Sequence, residues 1–293
     1  MERHALVIGN SSYVDQALAN PGNDATDMAA QLSNLGYKVH GGGPILDLDR
    51  IGIERTVLAF SAQLPKQAHV LFYYAGHGLA TERDNYLIPI NHSIAFEEQL
   101  ADRAVSFRSI VERLKVANPN GINVLLLDAC RDNPLPRNYR SSQRGLKRIP
   151  NIPQGVFIGF AADYGQVADD GEGRNGAYTA ELLRMLRDEP NIIIELAHMN
   201  VRNRVFENTS KKQSPISENK IYGGDWCFGE CNQSIVTTRV EPIVTVPEET
   251  EPVPGALKKR WIVVGGVVLA VVAASLASDD SSNDNTLSVD INN

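Results

Sequence analysis

A chain of 293 residues can hold one large domain or two small ones, and 43% hydrophobic with 22% charged residues is ordinary for a globular protein. A net charge of −7 argues against a chain built to hold nucleic acid. Three cysteines are too few for a disulfide framework and favour a reducing compartment.

The N-terminus goes straight into a strand-like run, HALVIGN at 4–10, with no apolar stretch of signal-peptide length. Residues 23–36 carry apolar positions at helical spacing and stop at Gly36. YKVHGGG is a short strand and turn; its glycines lack the Lys and Ser/Thr of a phosphate loop. An amphipathic helix is predicted over 48–64, ending before Pro65, and a buried strand over 69–78. A helix over 106–118 follows, then buried strands at 122–130 and 155–162 and helices at 176–188 and 192–209. Strands alternating with helices predict an α/β fold, a mainly parallel central sheet with helices on both faces, over residues 1–229.

Beyond that domain the composition shifts. Residues 230–259 form a Pro/Glu-rich linker with a basic end, carrying Pro242, Pro247, Pro252 and Pro254. Residues 261–277 contain no charge, so a transmembrane helix is predicted over 260–278, at the short end of spanning length. Lys258, Lys259 and Arg260 precede it and a short acidic tail, 279–293, follows. The positive-inside rule then gives a single-pass membrane protein whose large N-terminal domain is cytoplasmic.

Two strand ends carry reactive groups. YYAGHG ends one apolar run at His77 and Gly78, and VLLLDAC ends another at Asp128 and Cys130. In an open α/β sheet, ligands bind outside the carboxyl ends of the strands. If these strands are neighbours, His77 can activate the Cys130 thiol and protonate a leaving amine. The backbone N–H groups of Gly78 and Cys130 could hold a tetrahedral oxyanion. A lone cysteine at a strand end is usually inert, and a lone histidine there usually caps or fills the core. The pairing, 53 residues apart and each after an apolar strand, is far more specific.

That spacing, with ALVIGNSSY, LANPGNDATDM, NYLIPIN, VLLLDACRDNP and KKQSPISENKIYGGDWCF, resembles the caspase-like cysteine peptidases of the metacaspase or bacterial orthocaspase type over roughly residues 3–229. The resemblance implies a His77–Cys130 catalytic dyad, an oxyanion hole from Gly78 and Cys130, and protein or peptide substrates. True caspases have Gln two residues before the cysteine and Gly two after it; here these are Asp128 and Asp132. The metacaspase pattern has an acid at the first of these positions, and Asp24 matches a second acid lining the specificity pocket. Two carboxylates in a cleft attract a cationic side chain, so cleavage after Arg or Lys is expected. Alternatively, Asp24 caps the helix it opens.

The connection 131–154 carries six basic residues and one acidic one. The family processes itself in this region, which makes Arg144, Lys147 and Arg148 candidate self-cleavage sites. ADDGEGR at 168–174 is read as a border of the substrate cleft or as solvated. Some members use calcium, but Arg103 follows Asp102 where a second acid would stand, so no metal is required and calcium is at most optional. Cys227 and Cys231 read as two free thiols, since two ligands with no nearby His make a poor zinc site. The reading that competes with the peptidase is a catalytically silent caspase-like interaction module tethered to the membrane. The oligomeric state is left open.

Overall fold

The apolar runs that end in His77 and Cys130 become neighbouring parallel strands at the centre of one sheet. The computed structural model describes residues 1–14, 16–82, 84–129, 146–164, 166, 168, 173–222 and 226–231, together with the backbone of 259–264 and 267–272. The chain divides into two units, Met1–Thr237 and Thr238–Asn293.

The first unit runs β1 (Arg3–Gly9), α1 (Pro21–Asn34), β2 (Lys38–Val39), β3 (Ile45–Leu46), α2 (Arg50–Ala62) and β4 (His69–Ala75). Then come β5 (Gly78–Ala80), β6 (Asn85–Leu87), α3 (Leu100–Arg103), β7 (Val105–Ser106), α4 (Phe107–Ala117) and β8 (Ile122–Asp128). It closes with β9 (Val156–Phe160), α5 (Ala177–Asp188), α6 (Ile194–Asn208) and β10 (Ile216–Asn219). The main sheet has the order β10-β9-β8-β4-β1-β2, with β3 also on β1. Every pairing in it is parallel except β9 with β10.

Alternation along β4 assigns the two faces. Phe72 turns one way and meets Phe107 of α4, ring centroids 6.5 Å apart. Tyr73 turns the other way, and its hydroxyl lies 2.5 Å from Oγ1 of Thr179 on α5. Helices α1, α5 and α6 pack together on the Tyr73 side, and α2 packs with α4 on the other. Leu6, Phe72, Leu125 and Ile158 form one row across four strands, all fully buried. Burying such side chains contributes about 1.5–3 kcal/mol each before entropy is counted. Helix starts follow the expected chemistry: Asp49 accepts from the Gly52 amide at 2.6 Å to begin α2, and Ser106 accepts from the Ser109 amide at 3.1 Å to begin α4.

The strand predicted over 69–78 breaks after Ala75, and Gly78 restarts as β5 in a separate antiparallel sheet, β5-β6-β7. Tyr13, Leu79, Tyr86, Ile88 and Leu100 form a second small core. Strands of two or three residues are too short to show an alternating pattern, which is why this sheet was not legible.

Two expectations are corrected. The helix expected at 260–278 is absent from its described residues, which form antiparallel strands β11 (Lys259–Val264) and β12 (Val267–Val272). Among the described residues no helix is long and apolar enough to cross a membrane. Val and Ile are stiff at χ1 and favour strands. Residues 232–258 of the expected linker, residues 273–278 and the tail 279–293 lie outside the described residues. Secondly, Cys227 and Cys231 are not free thiols but a disulfide, with Cα atoms 5.2 Å apart. The Gly229 amide donates to the Pro190 carbonyl at 2.8 Å and the Glu230 amide to Oδ1 of Asn191 at 2.9 Å. These bonds fold the intervening turn back and bring the two Cα atoms within bridging range.

Candidate active site

The β4–β8 ladder runs in register from His69↔Ile122 to Ala75↔Asp128. Its last link is the Gly76 amide donating to the Asp128 carbonyl at 3.2 Å. His77 stands two residues past one end of that final pair, and Cys130 two residues past the other. Cys130 lies outside the described residues, which stop at Ala129 on this strand. Gly78 touches that stopping point: a Cβ there would fall 2.4 Å from the Ala129 carbonyl oxygen and 3.1 Å from its Cβ. The same Cβ would lie 3.2 Å from Cδ2 of Leu146, so the chain returning at 146 also borders this spot. Only glycine allows so close an approach.

The Gly78 amide has a defined direction. The Ile88 amide donates to the His77 carbonyl at 3.0 Å, which makes His77 and Ile88 a hydrogen-bonded pair of the β5–β6 ladder. Gly78 and Leu87 are then a non-bonded pair, and the Gly78 N–H turns away from β6.

His77 is buried, 1% exposed, with Nε2 2.8 Å from the backbone carbonyl of Gln16. A carbonyl only accepts, so Nε2 carries a proton and Nδ1 is the basic nitrogen of the neutral ring. The Tyr13 ring packs beside the imidazole at a centroid distance of 4.4 Å. The loop carrying Gln16 is anchored upstream. Asp47 accepts from the Ser11 and Ser12 amides at 2.8 and 2.9 Å and from the Ser12 hydroxyl at 2.7 Å. Burial pushes the Asp47 carboxyl up, but the bonds from Ser12 and Ser11 outweigh it and hold the group below its usual range.

Asp24 and Asp128 converge on the first turn of α5. Asp24 is fully buried, and its Oδ1 accepts from the amide of Gly176, the N-cap residue of α5, at 2.9 Å. Asp128 is 1% exposed, and its Oδ2 accepts from the Thr179 hydroxyl at 2.7 Å. Carboxylates suit the positive end of a helix. The alternative task for Asp24, capping its own helix, is not what it does: the N-cap of α1 is Asn20, and Asp24 lies four residues further on. Asp128 Oδ1 is buried with no hydrogen-bond partner among the described residues. Alongside, Arg174 grips both oxygens of Asp27 at 2.9 and 3.0 Å and holds that carboxyl below its usual range. Of the acidic stretch 168–174, residues 169–172 lie outside the described residues.

The candidate self-cleavage positions differ in accessibility. Arg144 lies outside the described residues. Lys147 is clamped: its amide donates to Oδ1 of Asn85 at 2.8 Å, and its carbonyl accepts from Nδ2 of Asn85 at 2.7 Å. Arg148 is exposed, with Nε 3.7 Å from Glu218, which also accepts from the Ile149 amide at 2.9 Å. Leu146 and Ile149 on either side are buried. Asp102 lies in α3, and among the described residues no cluster of three His, Cys, Asp or Glu side chains is arranged to hold a metal.

Sequence reasoning missed Gln16, Tyr13, Tyr74, Thr179 and Asn85. Gln16 acts through its backbone, so its side chain leaves no signal. Tyr13 closes the motif ALVIGNSSY, Tyr74 lies in YYAGHG and Asn85 opens NYLIPIN, and those positions were the available hints.

Comparison with known proteins agrees with this geometry. The caspase domain family pattern matches residues 2–222. Mucosa-associated lymphoid tissue lymphoma translocation protein 1 of Homo sapiens is 29% identical over 188 residues, 64% of this chain and 21% of that protein. Its Mus musculus homolog is 30% identical over 188 residues, again 64% and 21%. A probable protease of a Desulfuromonadales bacterium is 29% identical over 226 residues, 67% of this chain and 27% of that protein. The chain thus spans only 21–27% of the length of these relatives. With the match covering nearly the whole first unit, and the sheet order and strand-end histidine in keeping with it, the chain belongs to the caspase domain family.

Proposed function

We propose that the chain is a cysteine endopeptidase in which His77 and Cys130 form the dyad and peptide bonds are cut after Arg or Lys. The observation that carries this is the register Ala75↔Asp128, with equal two-residue steps to His77 and Cys130 and with Gly78 against Ala129. In this mechanism Nδ1 of His77 takes the thiol proton, and the sulfur attacks the scissile carbonyl carbon. The oxyanion receives the N–H groups of Gly78 and Cys130. Collapse breaks the C–N bond as the imidazolium gives its proton to the leaving amine. Water, deprotonated by His77, then splits the thioester and returns acid and thiol.

The basic preference is supported by Asp24 and Asp128 meeting at the start of α5. A carboxylate has two oxygens and about four lone-pair sites, so an acid that accepts from α5 can also accept from a guanidinium. Both are out of water in this conformation, so a substrate arginine must open a way to them. Self-cleavage, if it follows the same preference, falls at Arg144 before Lys147 or Arg148, whose backbone neighbourhood is tied down. As to place, Lys258, Lys259 and Arg260 ahead of the uncharged stretch 261–277 favour association with an anionic membrane surface, without a spanning helix among the described residues.

The test is turnover of fluorogenic peptides ending in Arg, Lys, Asp or Asn by the full chain, with Cys130→Ala and His77→Ala controls and with or without calcium. Turnover after Arg and Lys, lost in both controls, is the expected result. Turnover after Asp alone removes the pocket argument. No turnover, with no labelling of Cys130 by a reactive peptide, leaves the silent interaction module. Fractionation of cells expressing the full chain tests the location.

A further inference from the structure

An antiparallel hydrogen-bonded pair normally exchanges two bonds. His77 and Ile88 exchange one. The Ile88 amide donates to the His77 carbonyl at 3.0 Å, but the His77 amide donates instead to the Tyr13 hydroxyl at 2.8 Å. That hydroxyl lies in turn 3.2 Å from the Ile88 carbonyl, as its donor. A phenol oxygen is therefore inserted into the ladder at the one residue on which the chemistry depends. A second phenol backs it: the Tyr74 hydroxyl is 3.1 Å from the His77 carbonyl, 3.1 Å from the Ile88 carbonyl and 3.2 Å from the Tyr13 hydroxyl. Tyr13 is 4% exposed and Tyr74 fully buried. The backbone makes room for both. Gly76 has a φ of 154°, and a Cβ there would lie 2.6 Å from the Tyr13 hydroxyl and 2.8 Å from that of Tyr74.

We infer that Tyr13 and Tyr74 are positioning residues for His77: their hydroxyls replace one bond of the β5–β6 ladder and so set the direction in which the imidazole leaves the sheet. This rests on the peptidase reading above. A direct His77–Ile88 bond would draw the His77 amide toward β6 and turn its side chain with it. The wedge holds the two strands apart at that bond, with the imidazole between the Tyr13 ring and the Gln16 carbonyl. Tyr13 carries more of the task, because the His77 amide has it as acceptor, whereas the His77 carbonyl keeps the Ile88 amide when Tyr74 loses its hydroxyl.

The experiment compares wild type, Tyr13→Phe and Tyr74→Phe in the full chain, with Tyr222→Phe, whose ring is exposed, as control. All assays run below the lowest melting temperature of the set. Steady-state kinetics on an Arg-ended peptide are paired with the pH dependence of Cys130 alkylation by iodoacetamide. A well-placed imidazole lowers the thiol midpoint, and a misplaced one lets it rise toward about 8.5. Tyr13→Phe is expected to lower kcat by about tenfold or more with KM within about twofold, and to raise the alkylation midpoint. Tyr74→Phe should do the same more weakly. Unchanged kcat in Tyr13→Phe, a loss of kcat with an unmoved alkylation midpoint, or a larger effect of Tyr74→Phe overturns the inference. A wild type with neither turnover nor a depressed midpoint fails differently, because it removes the peptidase reading itself.

Discussion

The backbone carbonyl of Gln16 lies 2.8 Å from Nε2 of His77, and Gln16 reaches that position with a φ of 59°. A positive φ is costly for a residue with a side chain, and such strain gathers where a site needs a particular backbone direction. The carbonyl, not the side chain, is the functional group. Gln16→Gly should therefore keep activity and relieve the strain. Gln16→Pro forces φ to about −65° and swings the carbonyl away. Loss of alignment of this kind costs up to about 10²-fold in rate. We expect Gln16→Pro to lose kcat on that scale while Gln16→Gly stays within about twofold of wild type, read from steady-state kinetics on an Arg-ended peptide.

Asp24 and Asp128 each have a structural partner on α5, so a simple loss of function would not separate holding the helix from holding a substrate. Asparagine separates them. Asp24→Asn keeps an oxygen acceptor for the Gly176 amide, and Asp128→Asn keeps one for Thr179. Both lose the charge that a guanidinium would pair with. Breaking a buried pair costs about 3–5 kcal/mol. If the carboxylates bind the substrate cation, kcat/KM for Arg peptides falls by about 10²-fold or more in each variant while the melting temperature moves little. Asp24→Ala removes the cap as well and should cost about 1 kcal/mol of stability. Asparagine variants that melt early yet cut Arg peptides normally would assign the acids to the fold alone.

Much of this architecture could be read from the sequence because the central strands are buried on both faces. Runs such as VLFYYA and VLLLD admit few other readings at that length. Helices α2, α4, α5 and α6 fall within two residues of their expected limits, and α2 and α4 also begin on capping side chains, Asp49 and Ser106. The 260–278 segment shows the limit of hydropathy. It reports how apolar a stretch is, while β-branching carries the information on shape. The geometry around the candidate site was legible for side chains, in the strand-end place of His77 and in the meeting of Asp24 and Asp128 at α5. It was illegible where backbone acts, as at Gln16, or where Tyr13 comes from 64 residues away to meet the His77 amide. Cys227 and Cys231 were misread because their pairing depends on a turn that the distant Pro190 and Asn191 hold in place.

Asn85 joins its side-chain amide to both backbone groups of Lys147, as a strand partner would. This clamp protects the bonds after Lys147 and Arg148, since a protease needs several residues of extended, detached chain. Each hydrogen bond contributes about 0.5–1.5 kcal/mol net. Losing two in Asn85→Ala should raise the detached population by about tenfold or more, and proteolysis tracks that population when reclosing is fast. Trypsin added to the Cys130→Ala chain, which cannot process itself, should nick Asn85→Ala after Lys147 and Arg148 about tenfold faster than the parent. Equal rates would show that burial of Leu146 and Ile149 holds the segment without the clamp.

His198 on α6 gives the fold a pH dependence of definite sign. It is packed against Phe157 and Tyr178, with ring centroids 5.5 and 6.0 Å away. Burial first, and then the charge of Arg202, pushes its pKa down to about 3, against about 6.5 in an unfolded chain. Between those values the unfolded chain binds a proton that the folded chain refuses. Stability is therefore fully present above pH ~6.5 and falls as the medium is acidified, by up to ~1.4 kcal/mol per pH unit, until the folded group also titrates. His69, held down to about 4 by burial first and then by the N-terminal amine and Arg3, adds a slope of the same sign. His198→Leu removes one contribution and leaves the other. Urea titrations at pH 7.5 and 4.5 should show the variant losing roughly 2 kcal/mol less than wild type on acidification. An equal loss in both would mean that the folded chain accepts the proton at His198, and that the ring is not sealed from water as its packing implies.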